Sequence, residues 1–140
     1  VMGRFIAFLP DIESFAPTLS TNAAFGGPWA LPLTCRWLAQ SRRAVGQSFP
    51  LLGTNGARTG LDIARFLLSG ASAVQVTSAV FTGGFGVITR MRDDFAAYLD
   101  RKQMSAVDLI GRAADQQGSY AEQQSRPGYW EQFVVPEARA

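Results

Sequence analysis

Two segments, Pro50-Leu-Leu-Gly-Thr-Asn-Gly56 and Ala73-Val-Gln-Val-Thr-Ser-Ala79, constrain this chain more than any others. Each reads as a short apolar strand that runs into small or hydroxylic residues, which leave backbone N–H groups accessible. The interval between them, Ala57 to Ser72, carries the pattern of one helix with its turns. Strand, loop, helix, strand at that spacing predicts adjacent parallel strands, because a parallel pair requires a crossover. The two strand ends then lie side by side and form a cradle for a phosphate group, so a phosphate-bearing cofactor is the expected ligand.

Composition removes several alternatives. With 140 residues and 47% hydrophobic content, the chain has material for a core and amounts to one domain or part of one. The 13 basic and 11 acidic residues are scattered, and no basic run is interleaved with aromatics, so no nucleic-acid partner is expected. One cysteine and no histidine rule out a Cys/His metal site or a Ser-His or Cys-His dyad within this chain, and no metal ligands are assigned. Cys35 sits in Pro32-Leu-Thr-Cys-Arg-Trp-Leu, an apolar helical run, and is expected to be an inert buried thiol. No apolar run approaches the ~20 residues that span a bilayer, and the first residues lack a signal-peptide layout. A cytoplasmic location is the expectation.

Along the chain, Arg4 to Leu9 forms an apolar run ended by Pro10 and Asp11, either a strand end or a hydrophobic loop. Asp11 to Pro28 reads as a long connection with little regular structure, and residues 1–30 are taken as one entering loop region. A helix is expected from Leu31 or Pro32 to about Val45, with Leu33, Trp37 and Leu38 at helical spacing. Ser48 to Leu52 predicts a buried strand, Gly60 to Leu68 a helix capped by Thr59 and stopped by Ser69-Gly70, and Ala73 to Val76 a second strand. After Thr82-Gly-Gly-Phe85, one long helix is expected with Phe85, Ile88, Met91, Phe95 and Leu99 as its apolar stripe. Ser105-Ala-Val-Asp108 opens a fourth helix through Ala114, with hydroxyl and carboxylate at capping spacing. Residues 31–115 thus hold the strand and helix units, and 116–140 an extended tail that Tyr129, Trp130, Phe133, Val134 and Val135 could anchor to a surface.

Gly26-Gly-Pro-Trp-Ala-Leu-Pro-Leu-Thr-Cys-Arg-Trp37 resembles the Ser-Gly-Pro-x-x-x-Pro-x-x-x-Arg element of the dihydroorotate and dihydropyrimidine dehydrogenases. In the same order, Leu52-Gly-Thr-Asn-Gly-Ala57 is similar to the family's Gly-x-Gly-Gly-Ile turn. Gly70-Ala-Ser-Ala-Val-Gln-Val-Thr-Ser-Ala79 is similar to its Gly-Ala-Ser-x-Val-Gln-Val-Gly-Thr-Ala strand, and Tyr98-Leu-Asp-Arg-Lys102 to its late helix. The resemblance covers Gly26 to about Ala114. It implies an α/β fold, the C-terminal portion, about strands six to eight, of a TIM (β/α)₈ barrel that binds FMN by its phosphate at the loops after strands seven and eight. It further implies cofactor contacts at Gly27, at Gly53, Thr54, Asn55 and Gly56, and at Thr77 and Ser78, largely through backbone N–H groups. Asn55 and Thr77 stand where the family has glycine; Asn tolerates left-handed backbone angles and a threonine hydroxyl can donate to phosphate.

A complete barrel of this kind needs ~250 residues, so the resemblance implies completion by another, larger chain carrying the earlier strands. In the family, the flavin lysine, the substrate asparagines and the proton-abstracting Cys or Ser come from that earlier part, which leaves no catalytic residue here. The implied function is therefore a subunit or fragment of an FMN-dependent oxidoreductase acting on a small-molecule substrate. A non-catalytic barrel-completing scaffold and a barrel for another phosphorylated ligand are the alternatives. Arg4 and Asn22 are the candidate substrate contacts, each weighed against an ordinary ion-pair or turn role. Gln75 is expected to satisfy backbone groups inside its strand, Trp29 lies nearest the site among the tryptophans, and Asp93 and Asp94 form a solvated face.

Overall fold

The computed structural model describes residues 5–19 and 24–118. Arg4, Asn22 and the expected tail anchors lie outside the described residues. Four short strands come first: β1 (Phe5–Ile6), β2 (Leu9–Pro10), β3 (Pro17–Leu19) and β4 (Ala24–Phe25). β1 pairs with β4 and β2 with β3, both antiparallel. The expected featureless connection from Asp11 to Pro28 is therefore corrected to part of two antiparallel ladders. Local chemistry makes the turn between β2 and β3: the Asp11 carboxylate accepts from the Glu13 and Ser14 N–H groups at 3.1 and 2.7 Å, and Phe15 adopts a φ of 56°. Those bonds from Ser14 and Glu13 hold the Asp11 carboxyl below its usual range.

A 3₁₀ turn at Pro28–Ala30 leads into α1 (Leu31–Val45), with Pro in the first turn, where its missing N–H costs nothing, and Arg42 and Arg43 near the carbonyl end. The buried face of α1 is Thr34, Leu38 and Arg42. Leu33 and Trp37 lie one position round the helix and are 40% and 43% exposed. Apolar spacing alone pointed to them. The face was instead rotated by two polar anchors, Thr34 donating to the Asn55 carbonyl at 3.1 Å and Arg42 paired with Asp115.

The central unit is β5 (Leu52–Thr54), α2 (Gly60–Leu68) and β6 (Ala73–Gln75). β5 and β6 are parallel, in the register Leu52 to Ala73, Gly53 to Val74 and Thr54 to Gln75, as the crossover spacing required. The strand expected at Ser48–Leu52 begins at Leu52 instead, because Pro50 has no N–H for a ladder. α2 carries a complete capping box: Thr59 accepts from the Asp62 N–H, and the Asp62 carboxylate accepts from the Thr59 N–H. It ends at Ser69, followed by Gly70 at a φ of 107°.

A short helix that the pattern does not predict, α3 (Ser78–Gly83), precedes the helix expected after Thr82-Gly-Gly-Phe85, which is α4 (Gly86–Lys102); the two are separated where Gly84 takes a φ of 69°. Of the expected stripe, Met91 is buried and Phe95 and Leu99 pack against the smaller core cluster, whereas Phe85 and Ile88 at its start are 86% and 46% exposed and Val87 is buried in their place. α5 (Ala106–Leu109) has its own capping box, Ser105 with Asp108. It stops well short of Ala114, because Gly111 turns to a φ of 77° and its N–H donates to the Leu67 carbonyl at 2.8 Å. A second 3₁₀ turn, Ala114–Gln116, then returns to α1.

Phe66 of α2 is the hub of the main core, packed with Leu38, Ala71 and Met91, and Leu109 closes a smaller cluster against Ala64 and Leu67. Among the described residues, no helix is long and apolar enough to cross a membrane.

Candidate functional site

Three loops meet at the carboxyl ends of β4, β5 and β6. Gly26, Gly27, Gly56, Ala57, Arg58, Ser78 and Thr82 line a cleft of ≈ 330 Å³. Thr54, Asn55, Gly56, Gln75, Thr77 and Ser78 line an adjoining cleft of ≈ 250 Å³. Gly26, Gly56, Ala57 and Ser78 border both. Of the residues singled out in the sequence, Gly27, Thr54, Asn55, Gly56, Thr77 and Ser78 are therefore gathered in one place. Gly53 is not: it is buried within β5, where a Cβ would lie 3.2 Å from the Phe66 ring and 3.3 Å from the Ala71 methyl. Its missing side chain serves the packing of α2 on the sheet.

Backbone geometry at the β5 loop is special. Asn55 has a φ of 74° and Gly56 a φ of 116°. A Cβ on Gly56 would meet the Leu31 N and Cα at 2.7 Å, so the loop lies directly against the start of α1 and only glycine fits. The Asn55 Oδ1 accepts from the Gly27 N–H at 3.0 Å. Gly27 thus faces the cleft with its N–H already engaged.

Donors remain. The N–H groups of Gly56, Ser78 and Ala79 have no hydrogen-bond acceptor among the described residues. The Thr82 hydroxyl donates back to the Ser78 carbonyl at 3.0 Å, steadying the first turn of α3. No acidic side chain lines either cleft, and Arg58 borders the larger one. Asp62, four residues on, is already committed to the N–H groups of Arg58 and Thr59, the Thr59 hydroxyl and the Arg65 guanidinium. Burial pushes the Asp62 carboxyl up, and these four hydrogen bonds outweigh it and hold it below its usual range. The Arg58 side chain has no ion-pair partner among the described residues.

Sequence reasoning did not single out Arg58 or Thr82. Their signal was weak, an arginine beside a glycine turn and a threonine read as a helix boundary. Gln75, expected to serve the backbone inside its strand, is exposed at the end of β6 and lines the smaller cleft. Trp29 borders neither cleft; its ring stacks on Phe25 at 5.2 Å and tilts on Phe5 at 5.1 Å, joining β1 and β4. Cys35 is half-buried at the edge of the core rather than within it, and burial pushes its thiol pKa up. Asp93 is paired with Arg92 on the exposed side of α4, and Asp94 is exposed beside it.

No family model matches the chain. Among curated proteins it is 35% identical over 105 residues to the catalytic subunit of dihydroorotate dehydrogenase B (NAD(+)) of Pyrococcus furiosus, covering 74% of this chain and 34% of that protein. It is 38% identical over 115 residues to a putative dihydroorotate dehydrogenase A (fumarate) of Solibacter usitatus, covering 79% of this chain and 36% of the relative. The chain thus spans about a third of the length of these relatives. Among solved structures it superposes on the dihydroorotate dehydrogenase of Eimeria tenella in complex with ferulenol. The TM-score is 0.64 at 21% identity, over 84% of this chain and 31% of that one, a likeness of fold to part of a barrel enzyme. Over about three quarters of its length, this chain is a homologue of the dihydroorotate dehydrogenases.

Proposed function

We infer that this chain supplies the FMN-phosphate-binding portion of an oxidoreductase resembling dihydroorotate dehydrogenase. It corresponds to about strands six to eight of a (β/α)₈ barrel, and a larger partner chain carries the catalytic base and the flavin lysine. One observation supports this above the rest: the loops bearing Gly27, Asn55-Gly56 and Thr77-Ser78, distant in sequence, share adjoining clefts at one end of a parallel strand pair. Phosphate sites in barrels lie between the last two βα loops, and β5 and β6 stand for those strands in this reading.

The lining suits a phosphomonoester. Unused N–H groups at Gly56, Ser78 and Ala79 can donate to phosphate oxygens, Arg58 contributes positive charge, and no carboxylate opposes a dianion. Gly56 allows the backbone to come close without a Cβ in the way. FMN, when bound, supplies hydride acceptance at its flavin ring, coupled in this class to proton removal from the neighbouring substrate carbon. This chain's part is to grip the phosphate, and through it to fix where the flavin ring sits at the barrel mouth.

Purification from the native source with its partners, followed by an absorption spectrum and FMN quantitation, tests the reading. One FMN per pair of chains is the expected result. A colourless phosphorylated ligand would replace FMN with another cofactor, and a partnered but empty barrel would mean that the fold serves as a scaffold.

A further inference from the structure

Asn55 departs from the glycine of the Gly-x-Gly-Gly-Ile turn, and its side chain is employed. The carboxamide crosses from the β5 loop to the loop after β4, and Oδ1 takes the Gly27 N–H at 3.0 Å, 28 residues away in sequence. The fit is close: a Cβ on Gly26 would stand 2.7 Å from that same oxygen, so the crossing requires glycine at position 26. The residue's backbone is held from the other side, where buried Thr34 donates to the Asn55 carbonyl at 3.1 Å and Gly56 abuts Leu31. Asn is among the few non-glycine residues that accept a φ of 74° readily. The Asn55 Nδ2 is buried and has no acceptor among the described residues.

We propose that Asn55 is a positioning residue that ties the Gly26-Gly27 loop to the β5 loop and so pre-forms the cleft for a phosphate-bearing ligand. This rests on the phosphate reading given above. With glycine at position 55, nothing else among the described residues bonds the Gly27 N–H. The Gly26-Gly27 segment would then lose its direct bond to the β5 loop, which would stay fixed only at the start of α1 through Thr34 and Leu31, and the ligand would have to order that segment on binding.

The test uses the full chain with its co-purifying partner and two readouts. In hydrogen exchange, the Gly27 amide is expected to be protected in the wild type, to exchange at least tenfold faster in Asn55→Gly, and to regain protection in Asn55→Asp, whose carboxylate keeps the acceptor. In FMN titrations, Asn55→Gly is expected to bind about tenfold more weakly, while riboflavin, which lacks the phosphate, binds equally to both forms. A third variant covers the case in which Asn55→Gly fails to fold: Gly26→Ala displaces the Asn55 oxygen, and should accelerate Gly27 exchange in the Asn55 background. Unchanged Gly27 exchange in Asn55→Gly overturns the tie. Faster exchange with unchanged FMN affinity overturns its role in pre-forming the site. A wild type that binds no FMN while its Gly27 amide responds as described removes the phosphate reading, and the ligand half of this proposal with it, but leaves the inter-loop bond established.

Discussion

Arg42 and Asp115, far apart in sequence, form a two-point ion pair, Nε to Oδ1 at 2.8 Å and Nη2 to Oδ2 at 2.9 Å. Arg42 is almost wholly buried, whereas Asp115 keeps 37% of its side chain in water. The arginine also donates to the Gln47 carbonyl at 3.1 Å, so one guanidinium joins α1, the turn after it and the last described turn of the chain. Asp115→Asn leaves a buried cation with its charge uncompensated, and is expected to lower the melting temperature by several degrees. Differential scanning calorimetry checks it.

The same pair sets a pH dependence. The hydrogen bond from Arg42 holds the Asp115 carboxyl below its ordinary value of 3.8. A carboxyl whose pKa is depressed by folding stabilises the fold fully above its unfolded value, and that stabilisation is lost as pH falls through the folded one. Wild type and Asp115→Asn should therefore differ most above about pH 4 and converge toward pH 2. A difference that is absent or constant across that range would show that the pair contributes nothing.

At the N-terminus of α2, Thr59→Ala removes the cap to the Asp62 N–H and should cost about 1 kcal/mol in urea unfolding. Gly60→Ala should cost more, about 2 kcal/mol, because its methyl would be driven into the α4 backbone at Met91 and Phe95.

Ser78→Glu places a carboxylate at the border of both clefts. Ser78 is exposed and lies in the first turn of α3, where a negative charge is tolerated or mildly favourable to the helix. On the proposed phosphate reading, loss of FMN is the expected outcome, with the melting temperature of the FMN-free protein unchanged. Full FMN retention would place the phosphate elsewhere.

Phe81 and Phe85 stand 86% exposed on either side of the α3–α4 break, and Ile12 and Phe15 are 80% and 90% exposed on the β2–β3 turn. Large apolar groups grouped at that exposure are the kind of surface that another chain would cover. If another chain completes the barrel as proposed, the double change Phe81→Ser with Phe85→Ser should weaken its retention without unfolding this chain. Sedimentation of the complex measures it.

The parallel pair and its crossover were legible because spacing and apolar runs report β5, α2 and β6 directly, and capping signatures at Thr59 and Ser105 marked two helix starts. Elements governed by polar anchors or glycine angles were not. The face of α1 turns on Thr34 and Arg42, whose partners lie 21 and 73 residues away. The division of α3 from α4 turns on Gly84, and beside that break the periodicity pointed inward at Phe85 and Ile88 where Val87 is the buried residue. The strands before Pro28 are two or three residues long, too short for alternation to register. At the candidate site, motif order picked out loops that the fold gathers at one end of the strand pair, whereas the engagement of Gly27 by Asn55 is a side-chain contact that no linear pattern encodes.

Two glycines wall the Arg42 side chain: a Cβ on Gly70 would stand 2.6 Å from its Cδ and one on Gly111 would run into its guanidinium, and both glycines have positive φ. This fixes an order of permissible change over descent. Neither glycine can gain a side chain while the arginine is present, so position 42 must shorten first. Even then the left-handed angles persist, and asparagine is the first replacement that the backbone would admit. A lineage in which position 70 or 111 has drifted from glycine should already have lost Arg42, and with it the need for an acid at position 115.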